Sequence, residues 1–197
     1  MRLAILLSHP IQYYSPWFRL LAQREGIDLR VFYLWDAGVV KTKDHGFGKA
    51  FAWDIPLLEG YDFEFVPNQS RDPGTHHATG LDNPTIVELL ISWNPEAILL
   101  FGYAWKTHLR VLFSRRLNNI PKLFRGDSHD LCPQMGLRAA GARWLKQRIL
   151  QRFEHFLPVG SANREFLLGL GLSEDRLTNV PHCVDNERFQ AVFEDRV

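Results

Sequence analysis

The run Arg2 to Ser8, RLAILLS, is almost unbroken in apolar side chains. A strand with one face in water alternates apolar and polar positions, so a run without alternation must be covered on both faces, as a central strand of a parallel sheet is. That requirement recurs along the chain. Ile27 to Trp35, Asp62 to Val66, Ala97 to Phe101, Pro121 to Arg125, Phe156 to Val159 and Leu177 to Val180 read as further strands. Helical patterns lie between them: Pro16 to Gly26 behind a Ser15 cap, Asn83-Pro84 to Trp93, Ala104 to Asn118, Leu137 to Phe153, and a Ser161-capped helix to Leu170. This alternation predicts an α/β fold, a doubly wound, Rossmann-like parallel sheet in a single domain, with the first strand central and the crossovers right-handed.

With 197 residues and 46% hydrophobic content, the chain can build one good-sized core; residues 1–190 are expected to form it and 191–197 to begin a linker or tail. Lys and Arg total 23 against 22 Asp and Glu, so no net field draws polyanions and nucleic acid is not expected as the main partner. Cys132 and Cys183 form no Cys-x-x-Cys pair, which argues against a structural zinc and a disulfide framework and fits a reducing cytoplasm. The apolar stretch of MRLAILLSHP is too short for a secretion signal or a membrane span.

Two stretches break the alternation. Asp36 to Gly60 reads as a long functional loop or an inserted hairpin, and Asn68 to Asn83, containing RDPGTHHATG, as an irregular and mobile segment. His76-His77 hints at a metal, but adjacent residues diverge and no carboxylate or cysteine is read at ligand spacing nearby, so no metal site is expected.

In parallel sheets ligands collect just outside the carboxyl ends of the strands. Those ends carry His9 and Gln12, Asp36, Tyr103, Asp127 with Ser128 and His129, Ser161, and His182, which should share one edge. The stretch PKLFRGDSHD concentrates the chemistry: a buried strand stops at Gly126 and gives way to an acid, a hydroxyl, an imidazole and a second acid. His129 is a candidate for positioning a substrate, or a plain surface residue; Arg125 and Asp127 form a local ion pair that fixes the loop, or serve chemistry. His9-Pro10-Ile11-Gln12 stands where dinucleotide-binding folds put glycines, so this loop either reads a ligand with side chains or packs.

The helix from Leu137 carries Arg138, Arg143, Lys146, Arg148 and Arg152 before any acid. Ala142, Leu145, Ile149 and Phe153 form a stripe at helical spacing, which makes a core helix with a solvated basic face; contact with a membrane surface is the second reading.

The segment FLPVGSANREFLLGLGLSEDRLTNVPHCVDNERF, Phe156 to Phe189, resembles the end of the amino-terminal domain of retaining GT-B glycosyltransferases of the group 1, family 4 type. His182-Cys183-Val184-Asp185 stands at that family's Asn-Gly-Val-Asp-like tetrapeptide and keeps its Val-Asp half. The resemblance implies one half of a GT-B fold, binding an acceptor, while a separate carboxyl-terminal domain binds a nucleotide-sugar as co-substrate. It implies catalysis in the cleft between them, without a metal or cofactor, and activity only when both halves are present. His129 matches by place the family histidine near the donor sugar. On this reading His129 and Asp127 are the catalytic candidates, and His9, Gln12, Tyr103, Arg125 and Ser161 the substrate-binding ones. The acceptor would be a glycan, lipid or small molecule, and the place of work the cytoplasm, at the inner membrane surface if the basic helix is used. The alternatives are a Rossmann-like module that binds a ligand or partner without turnover, and a metal-dependent hydrolase suggested by eight histidines.

Overall fold

The computed structural model describes residues 1–37, 39, 42–43, 50–51, 56–129, 137–186 and 190. In chain order the elements are β1 (Arg2–Leu7), α1 (Ser15–Ala22), β2 (Asp28–Tyr33), β3 (Thr42–Lys43), β4 (Ala50–Phe51), β5 (Asp62–Phe65), α2 (Ile86–Trp93), β6 (Ala97–Phe101), α3 (Lys106–Leu112), β7 (Lys122–Gly126), α4 (Leu137–Leu150), β8 (His155–Pro158) and α5 (Ser161–Gly169). Six strands form one sheet in the order β5-β2-β1-β6-β7-β8, and every pairing in it is parallel. β1 sits between β2 and β6, where its unbroken apolar run places it. β3 and β4 pair antiparallel, the inserted hairpin that was one of two expectations for this stretch. The expected linker at 191–197 lies outside the described residues.

Successive side chains of a strand leave on opposite faces, and the two faces of this sheet are covered unequally. Ala4 and Leu6, with Ile98, Leu100, Phe124 and Phe156, meet α2, α3 and α5 through Leu90, Val111 and Leu167. Leu3, Ile5 and Leu7, with Val31 and Leu99, meet α1 through Phe18. Leu123 and Leu157, on this second face, stay only partly buried. The result is a single Rossmann-like α/β domain.

Four local expectations give way to tertiary demands. Ser15 lies within the first turn of α1 and turns its hydroxyl back to the Ile11 carbonyl, 3.3 Å away, instead of capping. Ser161 likewise opens α5 behind Gly160 without a side-chain cap. Asn83 does not cap α2: its amide donates to the Leu34 carbonyl at 3.0 Å and the Val66 carbonyl at 2.8 Å, joining the ends of β2 and β5. The helix expected over Ala104 to Asn118 is shorter, because after Leu112 the chain re-forms as a 3-10 turn, Arg115–Leu117, that drives Leu117 into the core. Buried Lys122 completes that turn by donating to the Leu117 and Ile120 carbonyls at 2.8 and 2.7 Å.

The strand expected at Leu177 to Val180 runs along β8 but meets it through one bridge, Phe156 to Leu177. Thr178 and Val180 donate to the Phe156 and Pro158 carbonyls at 3.0 and 2.9 Å; Pro158 has no N–H to return. α4 keeps the Ile149 and Phe153 half of its expected stripe and loses the Ala142 and Leu145 half. Leu150 and the following Phe153 are buried, whereas Leu145 is 55% exposed beside Trp144 at 58%. Asn68 to Asn83 is irregular, as expected, but tied shut. Asn68 accepts from the Ser70 and Asp82 amides, both at 3.0 Å, and donates to the Gly80 carbonyl at 2.8 Å. Among the described residues no helix is long and apolar enough to cross a membrane.

Candidate functional site

All six strands point the same way, so their carboxyl ends share one edge. The chain leaves β1 through α1 on one face and reaches β6 through α2 on the other, which makes the β1/β6 boundary the point where strand order reverses and a crevice opens. Ser8 to Gln12 and Gly102-Tyr103 flank it. His129 follows β7, one strand further, and Ser161 follows β8. With neighbouring strands about 4.8 Å apart, the ends of β1 and β7 are roughly 10 Å apart along the edge. The edge thus carries the sequence-predicted candidates on successive strands, with the β1/β6 reversal nearer His9 and Tyr103 than His129.

The β1 end is built by packing. Buried Ser8 holds its hydroxyl 3.0 Å from His9 Nδ1, and the imidazole stands edge-on to Trp35 at 5.9 Å between ring centres. Gln12 is half-buried in the turn that leads to α1, whose Tyr14 and Ser15 amides donate to the Ile11 carbonyl at 3.0 and 3.3 Å. At the β6 end Gly102 has φ +100°, a backbone conformation that favours glycine, and its N–H donates to the Arg125 carbonyl at 2.9 Å. Tyr103 then lays its ring 5.9 Å from Phe124, and burial pushes its phenol pKa up, so it stays a hydrogen-bond donor in neutral solution.

Arg125 is 3% exposed and does not pair with Asp127 among the described residues. It donates to the Val180 and Pro181 carbonyls at 2.7 and 3.3 Å and lies 5.1 Å over the Trp17 ring. Burial lowers its pKa, and the adjacent Tyr14 phenol partly opposes that. It is a clamp on residues 180–181, set against Trp17. Asp127 and His129 are exposed and Ser128 is half-buried. The loop they share is fixed by Asn163, a buried residue of α5 that sequence reasoning missed. Asn163 donates to the Ser128 carbonyl at 2.6 Å and accepts from the Val159 amide at 3.2 Å. Its signal was an asparagine, a weak helix former, on the inward face of α5. Ser161 is exposed at the start of that helix.

Below the Gly102 turn lies a second missed residue, His108, fully buried with neither ring nitrogen hydrogen-bonded among the described residues. Its spacing from Val111 and Leu112 is that of an inward helix face, which was the available signal. Two cavities adjoin the edge. One, of about 280 Å³, lies at the ends of β2 and β5 between Trp35, Asp36, Phe65, Asn68 and Pro73. The other, of about 460 Å³, lies between α1 and residues 183–186, with Tyr13, Trp17, Arg19 and Asp185 in its walls.

No protein-family model matches the sequence, and no curated protein matches it. The fold is similar to two solved structures of UDP-GlcNAc 2-epimerases. The enzyme from Methanocaldococcus jannaschii superposes with a TM-score of 0.53 at 16% identity, over 100% of this chain and 53% of that one. The enzyme from Neisseria meningitidis, bound to UDP-GlcNAc, superposes with a TM-score of 0.52 at 10% identity, over 100% of this chain and 50% of that one. This chain spans about half the length of either, and the likeness is one of fold.

Proposed function

We propose that this chain is the acceptor-side half of a two-domain, retaining glycosyltransferase of GT-B type, which moves a sugar from a nucleotide-sugar to a hydroxyl acceptor. The observation that carries the reading is the β1/β6 reversal of strand order with polar groups at successive strand ends, in a fold that covers about half of either similar structure. The terminal motif around His182 to Asp185 supports it. In this reading the donor is held by a second domain closing over the groove. Gln12 and Tyr103 offer hydrogen bonds to acceptor hydroxyls, His9 walls the crevice, Arg125 holds the segment that leads onward, and Ser161 edges the far end. His129 orients the sugar as the glycosidic bond breaks, and Asp127 acts beside it. α4 presents Trp144, Leu145 and its arginines to an anionic membrane surface in the same reading.

The likeness to two sugar-nucleotide epimerases favours a second reading, isomerisation of a nucleotide-sugar without an acceptor. Assaying the complete two-domain protein with a panel of nucleotide-sugars separates them. Transfer requires an acceptor and liberates nucleotide; epimerisation changes the sugar without either. The chain by itself is expected to turn over no nucleotide-sugar above buffer hydrolysis, because reacting groups must be held within about 3.5 Å and half of them belong to the other domain. Turnover by the pure chain would overturn the division of labour. Binding without turnover by the complete protein would leave a ligand-binding module.

A further inference from the structure

From sequence alone His76-His77 is not expected to hold a metal, since neighbouring residues diverge and no carboxylate is read at ligand spacing nearby. The structure reverses both premises. Residues 72–80 fold into a closed turn, and the two imidazoles converge on one carboxylate oxygen of Asp72. His76 Nε2 lies 3.0 Å and His77 Nε2 3.2 Å from Asp72 Oδ2, and His77 Nε2 is also 3.1 Å from the Asp72 carbonyl oxygen. The three side-chain ligand atoms lie within 4.8 Å of one another, and the rings stand perpendicular, 4.5 Å between centres. Four ligands around one zinc at about 2.0–2.1 Å are roughly 3.4 Å from each other, so both imidazole–carboxylate separations are within a few tenths of an ångström of that spacing.

Two further features belong to a ligand set. Thr79 Oγ1 lies 3.0 Å from His77 Nδ1, the nitrogen that must donate a hydrogen bond when Nε2 binds a metal. The turn is shaped by two glycines, of which Gly80 leaves no room before backbone and Gly74 none before the His76 ring as it stands. A methyl at Gly74 would sit 2.6 Å from His76 Nδ1, and one at Gly80 would sit 2.1 Å from the Gly74 carbonyl oxygen. Gly74 and Gly80 are joined by a 3.2 Å hydrogen bond, and Gly80 donates to the His77 carbonyl at 3.1 Å. The turn is fastened to the amino end of α3, since the Lys106 amide donates to the Ala78 carbonyl at 2.8 Å and the Trp105 indole to the Thr75 carbonyl at 3.3 Å.

We propose that Asp72, His76 and His77 bind one divalent transition-metal ion of the zinc class in the turn beside the amino end of α3, with an open position for an oxygen ligand. Two imidazoles and one carboxylate select zinc, cobalt, nickel or copper over magnesium or calcium, which take oxygen sets. Three protein ligands leave the fourth position free. The site is independent of the glycosyltransferase reading.

The test is titration of the metal-free chain with Co²⁺, read by visible absorption, followed by displacement with Zn²⁺. One equivalent is expected to bind. His76→Ala and His77→Ala each should weaken zinc binding by about a hundredfold or more, and Thr79→Val by about tenfold. Asp72→Asn, which keeps shape and hydrogen bonding, guards against a folding artefact and should also lose affinity; circular dichroism checks each variant. Cys183→Ser and His155→Ala should bind like the parent. Unchanged affinity in the His76→Ala/His77→Ala double variant, loss of binding on Cys183→Ser, or no uptake by the parent chain at micromolar zinc would each overturn the proposal.

Discussion

At the scale of single residues, the edge of the sheet rests on side chains whose partners are distant in sequence. Asn83-Pro84 reads locally as a helix start, and no local pattern reveals that the Asn83 amide reaches carbonyls 49 and 17 positions away. Thr107 completes the knot: its hydroxyl accepts from the Asn83 backbone N–H at 2.8 Å and lies 2.9 Å from the Leu81 carbonyl. Asn83→Ala would leave two buried carbonyls without donors, so we expect a loss of about 3 kcal/mol in chemical denaturation, against a few tenths for an ordinary helix cap replaced by glycine. His108 makes a different prediction. Burial holds its pKa down to about 3 against an ordinary 6.5, so between those values the unfolded chain binds more protons and stability falls as pH falls. His108→Leu removes the titration and an unsatisfied ring N–H. The variant should match or exceed the parent at pH 7 and should flatten the acid limb of the stability profile by a few kcal/mol. A parent profile already flat from pH 6.5 to 4 would contradict the burial argument. For His129, which is exposed, His129→Ala in the complete two-domain protein should leave melting within about 0.5 kcal/mol of the parent and substrate affinity nearly unchanged. Turnover should fall on the order of a hundredfold. Unchanged turnover in a folded variant removes it from the chemistry.

At the scale of elements, apolar runs and their order were legible because burial on both faces of a parallel sheet leaves no freedom in composition, as β1 and β6 show: every residue of Ala97–Phe101 is buried. Ends of elements were less legible, since they answer to neighbours. Leu117 ends α3 early by being drawn into the core, and Pro158 thins the last strand to a bridge. α4 is where helical periodicity misled most. Its stripe pointed Leu145 inward, yet the apolar contact with the core comes from Ile149 and Leu150, while Arg143 and Gln147 reach the Gly169 and Leu170 carbonyls. The exposed part joins Trp144 to Arg148, stacked at 5.4 Å, and near its end Arg152 covers exposed Phe113 at 4.9 Å. Such aromatic and basic groups suit the interface of an anionic bilayer. Co-sedimentation with phosphatidylserine vesicles should therefore be salt-sensitive and should drop severalfold on replacing Trp144 and Leu145 by serine. Binding equal to neutral vesicles, or unaffected by those changes, would make α4 an ordinary solvated helix.

At the scale of the whole molecule, the two faces of the sheet differ. Helices α2, α3 and α5, with Leu150 of α4, close one, whereas α1 closes the other, where Tyr14 meets His182 and Arg125 meets the Val180 and Pro181 carbonyls. Arg125 holds residues 180–181, and this was legible only in part. The sequence placed Arg125 at a strand end beside an acid, so a local ion pair was the natural reading, whereas its guanidinium turns under Trp17 to carbonyls 55 and 56 residues ahead. The same residue's backbone carbonyl accepts from Gly102, so one position ties Trp17 of α1, the Gly102 turn and residues 180–181 together. Arg125→Met keeps the apolar stem but removes the donors. The expected result is a loss of about 2–4 kcal/mol, with hydrogen exchange at the Thr178 and Val180 amides accelerating more than in β1. Arg125→Lys should rescue little, because a single ammonium does not present the planar fork that spans both carbonyls. If exchange rises equally throughout the sheet, Arg125 acts only as core packing. If it rises first along the β8 edge, the guanidinium is the tether by which the groove and the onward segment move as one unit.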